Sequence, residues 1–112
     1  MLAGKYQLDN LVAVIDNNRL EFDGKTEDVM PVKPFKEKWE SFGWNVEYVD
    51  GHDVDELFTA FEKANNVKKK PTVIVAYTIK GKGISYMEDV VEWHAGKVNE
   101  EQYKLGMQEL EM

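Results

Sequence analysis

The chain opens its patterned region with one continuous apolar block, Leu11-Val-Ala-Val-Ile15, which stops abruptly at Asp16-Asn17-Asn18. A block that does not alternate reads as a strand covered on both faces, the habit of parallel sheets. Thr72-Val-Ile-Val-Ala-Tyr-Thr-Ile79 is the clearest strand in the chain. Between these two, Asn45–Val49 alternates, with Val46 and Tyr48 on one side and Glu47 and Val49 on the other. Phe35, Trp39 and Phe42 recur at i, i+4 and i+7, predicting a helix that begins after Pro34 and ends at Gly43. Asp53-Val-Asp-Glu56 has the form of a capping box and introduces Leu57, Phe58, Phe61 and Ala64 at helical spacing. Lys68-Lys-Lys70 suits the carboxyl end of that helix, and Pro71 stops it. Asn99-Glu-Glu-Gln102 opens a last helix in the same way, with Tyr103, Met107 and Leu110 on one face. The aromatic stripes of the first two helices are assigned to the core.

Two stretches carry little core pattern. Residues 17 to 34 read as a long loop with a turn at Asp23-Gly24, and loops of that length in compact domains are functional or disordered. The second irregular stretch begins at Lys80-Gly-Lys-Gly83 and runs to Gly96. The order is strand, loop, helix, strand, helix, strand, loop, helix. Such alternation implies parallel strands joined by right-handed crossovers, hence an α/β fold. Three strands fall short of the five or six of a full doubly wound sheet, so the expected arrangement is a truncated three-layer one, a parallel sheet with flanking helices and sheet edges that need cover.

Composition narrows the function classes. A chain of 112 residues fits one domain spanning 1–112, and 43% hydrophobic residues suffice for one core. Fourteen basic against 21 acidic residues give a net charge of −7, which argues against nucleic acid or an anionic membrane as partner. There is no Cys, which excludes disulfides, thiolate metal sites and Cys nucleophiles. No apolar stretch approaches the ~20 residues of a membrane span, and the first residues lack the basic start and apolar core of a signal peptide. A cytoplasmic location is the expectation.

Polar residues at the carboxyl end of a parallel strand lie where α/β domains bind their ligands. Asp16-Asn17-Asn18 reads either as a set of backbone-capping turn formers or as part of a hard-cation site. An amide oxygen and a backbone carbonyl two residues on would supply two positions around Mg²⁺, which takes the rest from water and phosphate. Gly81 and Gly83 could bring backbone amides to a phosphate, but neither Gly-x-x-x-x-Gly-Lys-Ser/Thr nor Gly-x-Gly-x-x-Gly is present, and a flexible loop is the simpler reading. Of the two histidines, His52 in Asp50-Gly-His-Asp53 reads as a turn residue. His94, beside Trp93 and small residues after the glycine-rich turn, is either an inert loop histidine or the better candidate for catalysis.

Several blocks together resemble one family. Leu8-Asp-Asn-Leu-Val-Ala-Val-Ile-Asp-Asn-Asn-Arg-Leu-Glu-Phe-Asp-Gly24 is similar to transketolase. So are Phe42-Gly-Trp-Asn-Val46, Val49-Asp-Gly-His-Asp-Val54, Pro71-Thr-Val-Ile-Val-Ala76 and Lys80-Gly-Lys-Gly-Ile-Ser-Tyr-Met-Glu88. Trp93-His94 through Asn99-Glu-Glu-Gln-Tyr103 resembles the N-terminal subunit of the split-gene transketolases. The resemblance implies a thiamine diphosphate-binding fold, with thiamine diphosphate and Mg²⁺ as cofactors. It implies that the Asn18 side chain and the Leu20 carbonyl bind the metal, that Asp16 and Asn17 shape the turn, and that His94 lies by the cofactor diphosphate and the substrate. The family moves a two-carbon ketol unit from a ketose phosphate to an aldose phosphate. Its Gly-Asp-Gly half-motif, which carries the anionic metal ligand, occurs nowhere in the 112 residues. Ala95 stands where the family commonly has Gly, and the domain with the glutamate that activates the thiamine ring is a separate one. The expectation is therefore a transketolase fragment, not competent alone, that works with a complementary transketolase chain. The alternative is a non-catalytic α/β module that self-associates or docks on a partner.

Overall fold

The computed structural model describes residues 1–111. The elements run α1 (Leu2–Lys5), β1 (Val12–Asn17), β2 (Leu20–Glu21), β3 (Gly24–Lys25), α2 (Thr26–Val29), α3 (Phe35–Ser41), β4 (Asn45–Asp50), α4 (Val54–Asn66), β5 (Thr72–Tyr77), a 3₁₀ turn (Val91–His94) and α5 (Glu100–Leu110). They divide into two compact units, Met1–Asn17 with Val32–Thr78, and Asn18–Pro31 with the residues from Ile79 onward.

The first unit is an α/β arrangement around a parallel sheet of order β1-β5-β4. The expected parallel pairing is present, with β5 in the centre. Val12 lies opposite Thr72 and Asn17 opposite Tyr77, while Asn45 and Asp50 pair with the same two residues from the other side. Pro71 through Ala76 are buried without interruption, as a run that does not alternate requires. Sequestering Val73, Ile74 and Val75 is worth about 1.5–3 kcal/mol each. β1 departs from its reading as a buried strand. It pairs on one side only, and Val14 is 51% exposed. β1 also runs two residues further than its apolar block, so Asp16 and Asn17 are strand residues and the turn begins at Asn18. Asp16 is exposed and accepts the Thr78 hydroxyl, whereas Asn17 is buried with a side-chain Nδ2 that has no partner among the described residues.

Helix α4 is capped as the sequence predicts, by the Asp53 carboxylate accepting from the Asp55 and Glu56 amides at 2.9 and 3.0 Å. The reciprocal half of the box is absent, because the Glu56 carboxylate accepts instead from the Asp50 amide at 2.8 Å. The buried face also differs from the predicted stripe. Ala60 and Ala64 are buried, Leu57 packs against the Val49–Ile74–Ala76 cluster, and Phe58 stands 63% exposed. Small residues let the helix backbone approach the sheet closely, and the phenylalanines one position further round are rotated away. In α3, Phe35 is buried and Trp39 meets Trp44 edge-on at 4.8 Å, while Phe42 is largely exposed. Gly43 ends that helix with φ +82, which a side chain would disfavour.

The second unit replaces the two expected loops with local structure. Residues 18–31 form a β2–β3 hairpin closed by Phe22 and Asp23, then the short helix α2. The segment after Lys80 is a series of turns pinned to α5. That helix has the full predicted capping box, the Asn99 side chain accepting from Gln102 N–H and the Gln102 side chain accepting from Asn99 N–H. Gly106 is buried and lets α5 close on Tyr86 and Ile84, so Tyr103, Met107 and Leu110 face outward. The Tyr86 hydroxyl donates to the Gln102 carbonyl at 2.7 Å. Ser85 donates both its hydroxyl and its amide to Glu109, and these bonds hold that carboxyl below its ordinary pKa.

Two outcomes are expected. Ala60→Leu overfills the closest helix–sheet approach and costs about 1–3 kcal/mol in urea unfolding, while Phe58→Ala stays within about 0.5 kcal/mol; a larger loss for Phe58→Ala would contradict the exposed face. The Glu109 carboxyl is lower in the folded than in the unfolded chain. Its contribution is therefore complete above the unfolded pKa and lost as pH falls through the folded one. The Ser85 amide resonance should move only below the ordinary carboxylate range, and Glu109→Gln should remove that step.

Candidate functional site

The residues singled out for cofactor chemistry, Asn18, Leu20 and His94, belong to the second unit and line one cleft of about 450 Å³ with Glu21, Phe22 and Lys80. Asn18 is the first residue after β1. Its Oδ1 accepts the Leu20 N–H at 2.9 Å, which folds the chain back, and Arg19 between them takes φ +63. The Thr26 amide donates to the Arg19 carbonyl. In an antiparallel pair hydrogen-bonded and non-hydrogen-bonded residues alternate, so the next pair, Leu20–Lys25, directs its backbone groups off the hairpin. The Leu20 amide is taken up by Asn18, and its carbonyl faces away from β3. An amide oxygen and a carbonyl oxygen thus sit two residues apart on one tight turn, as a hard cation requires.

His94 ends the 3₁₀ turn and is exposed. Its support comes from the residue before it. The Trp93 indole N–H donates to the Tyr86 carbonyl at 2.8 Å, the two rings lie 5.5 Å apart, and Gly96 leaves room for the indole face. The imidazole meets the Phe22 ring edge-to-face at 5.3 Å. Ala95, where the resembled family commonly has Gly, adopts φ −140, open to any residue, so the side chain imposes no strain.

Lys80 was not among the residues chosen from sequence, yet it lines the same cleft. A lysine shortly after the third strand, just before a glycine with φ +72, is the signal that points to it. The glycine turn is no phosphate cradle. The Gly83 amide donates to the Glu88 carboxylate at 3.0 Å, and a Cβ on Gly81 would collide with the Met87 carbonyl. These glycines shape a turn. His52 holds a turn as read from sequence, its amide donating to the Asp50 carboxylate at 2.9 Å. Asp16 and Asn17 belong to the first unit and take no part in the cleft lining.

The donor set of the cleft suits a cation that arrives with its own anionic ligands. It offers neutral oxygens from Asn18 and Leu20, with Lys80 and His94 facing the same space. No group of three or more His, Cys, Asp or Glu able to hold a metal occurs among the described residues. Nor is any helix among them long and apolar enough to cross a membrane.

Comparison with known proteins agrees with this geometry. The family described as transketolase, thiamine diphosphate binding domain, matches residues 1–112. One of the two subunits of apulose-4-phosphate transketolase from Phocaeicola vulgatus is 40% identical over 98% of this chain and 39% of its own. The 6-deoxy-6-sulfo-D-fructose transketolase subunit SqwG of a Clostridium species is 42% identical over 99% of this chain and 40% of its own. The crystal structure of transketolase from Campylobacter jejuni superposes with a TM-score of 0.90 at 29% identity, over 99% of this chain and 17% of that one. The chain spans about two fifths of the length of the Phocaeicola and Clostridium relatives. With a family match over every residue, it belongs to the transketolase family, within the thiamine diphosphate binding domain.

Proposed function

We propose that the cleft holds the diphosphate end of thiamine diphosphate together with Mg²⁺. The chain then contributes this half-site to the transfer of a two-carbon ketol unit from a ketose phosphate to an aldose phosphate. The observation that carries this reading is the convergence of Asn18, Leu20, Lys80 and His94 on one cleft, from two segments some 60 residues apart in sequence.

Each residue has a chemical task in it. The Asn18 Oδ1 and the Leu20 carbonyl serve as oxygen ligands to Mg²⁺, leaving the other positions to water and diphosphate oxygens. Because both ligands are neutral, the negative charge the ion needs comes from the diphosphate and from a chain outside these residues. Lys80 places a compact positive charge against phosphate oxygens. His94 donates a hydrogen bond to a phosphate or substrate oxygen, its backbone fixed through Trp93 and Tyr86. When bound, the cofactor supplies the carbanion chemistry that breaks and forms the carbon–carbon bond; the protein orients it and sets the electrostatics.

The relatives that match 98% and 99% of this chain are both named as transketolase subunits, which supports work alongside a second chain. A complementary chain would bring the anionic metal ligand and the domain that grips the thiamine ring. The second reading, a non-catalytic module that self-associates or docks, is favoured by the one-sided pairing of β1 and the exposed face of α4.

Calorimetric titration with thiamine diphosphate decides between them. Binding should need Mg²⁺, and Asn18→Ala should weaken it about tenfold or more. Lys80→Ala and His94→Ala should each weaken it without abolishing the need for Mg²⁺. A coupled ketol-transfer assay on the 112 residues alone should show no turnover. Failure to bind at millimolar cofactor, with light scattering showing a defined oligomer, would favour the second reading.

A further inference from the structure

Histidines at functional sites are normally oriented by a hydrogen bond to one ring nitrogen, from a carboxylate or a carbonyl. His94 has no such bond to any described residue. What meets its ring is Phe22, edge-to-face with the centroids 5.3 Å apart and the planes at 90°. Phe22 sits at the tip of the β2–β3 hairpin and is 65% exposed, an unusual place for a large apolar ring with no core to join. It lines the same cleft as Asn18, Leu20, Lys80 and His94.

We propose that Phe22 is a positioning residue that sets the plane of the His94 imidazole, and that the hairpin thereby couples the cation end of the cleft to its histidine. The physical basis is the quadrupole of the two rings. An edge-to-face pair has a defined geometry and a worth of about 0.5–1.5 kcal/mol beyond area burial, enough to bias an exposed side chain toward one rotamer. The contact uses the ring body, so both nitrogens stay available to ligand oxygens, which a hydrogen-bonded orienting partner would not allow. Leu20 and Glu21 immediately precede Phe22 on the hairpin strand. A shift of the Asn18–Leu20 turn on cation binding therefore moves the ring against which His94 rests. The role in ligand binding rests on the diphosphate reading above; the orientation of His94 does not.

The experiment compares Phe22→Leu and Phe22→Tyr in the full chain with two readouts. In NMR spectra His52 is an internal control, since the chain has two histidines. The His94 ring resonances should shift in Phe22→Leu and keep their position in Phe22→Tyr, with those of His52 unmoved in both. Inorganic pyrophosphate in the presence of Mg²⁺ is the binding probe. Its affinity should fall about fivefold in Phe22→Leu, ~1 kcal/mol, and recover in Phe22→Tyr. In a His94→Ala background, Phe22→Leu should cost nothing further, because a positioning residue has then nothing to position. His94 resonances unchanged in Phe22→Leu, or an undiminished loss of affinity in the His94→Ala background, would overturn the proposal. If the unsubstituted chain binds no pyrophosphate, the diphosphate reading fails, and the resonance comparison still decides whether Phe22 orients His94.

Discussion

The central place of β5 constrains everything else in the sheet. Six residues, Thr72–Tyr77, serve as the pairing partner of both β1 and β4, and no other strand pairing exists in that sheet among the described residues. Parallel register then puts Asn17, Tyr77 and Asp50 in one row at the carboxyl end. From that row the chain continues into Asn18 and, two residues past Tyr77, into Ile79, where the two segments of the second unit begin. Segments far apart in sequence thus start from adjacent strand ends, the general reason ligand sites of α/β proteins collect at that edge.

A second constraint governs the cleft. The β2–β3 hairpin and the 3₁₀ turn are both short, and neither has a core of its own. Their order comes from a few directed interactions: the Asn18–Leu20 hydrogen bond, the Trp93–Tyr86 bond, the capping box of α5 and the Gly106 approach. Local bonds of this kind are worth about 1 kcal/mol each, so the unit keeps its shape through several weak restraints. Such an arrangement is adaptable, which suits a surface that receives charged ligands and a second chain.

The cation ligands read from the sequence are also chemically telling together. An amide and a carbonyl oxygen carry no net charge, while the chain as a whole carries −7. Lys80 is thus a local exception to the charge of its surroundings, and a diphosphate finds its complementary charge there. The cleft is complete as a positioning device and incomplete as a charge-neutralising one.

Much of this was legible in the residues. Capping by Asp53 and Asn99, the glycine stop at Gly43, the buried run of β5 and the pattern of alternating strands and helices all follow from local chemistry: a side-chain oxygen near free amides, a backbone angle that favours glycine, an uninterrupted apolar run. Asn18, Leu20 and His94 were named from resemblance, and they do share a cleft. What the sequence could not decide was which face of each helix would be covered. Phe58 and Tyr103 look like core residues by spacing, but Ala60 and Gly106 set the closest approach, and the helices rotate to use it. Lys80 and Phe22 were missed for a related reason. Their place depends on a loop path and a hairpin tip, and nothing local to either residue records what lies across the cleft. The linear order of residues determined the elements, their caps and the family; only tertiary packing determined which small residues touch, and therefore which large ones are left facing solvent or a ligand.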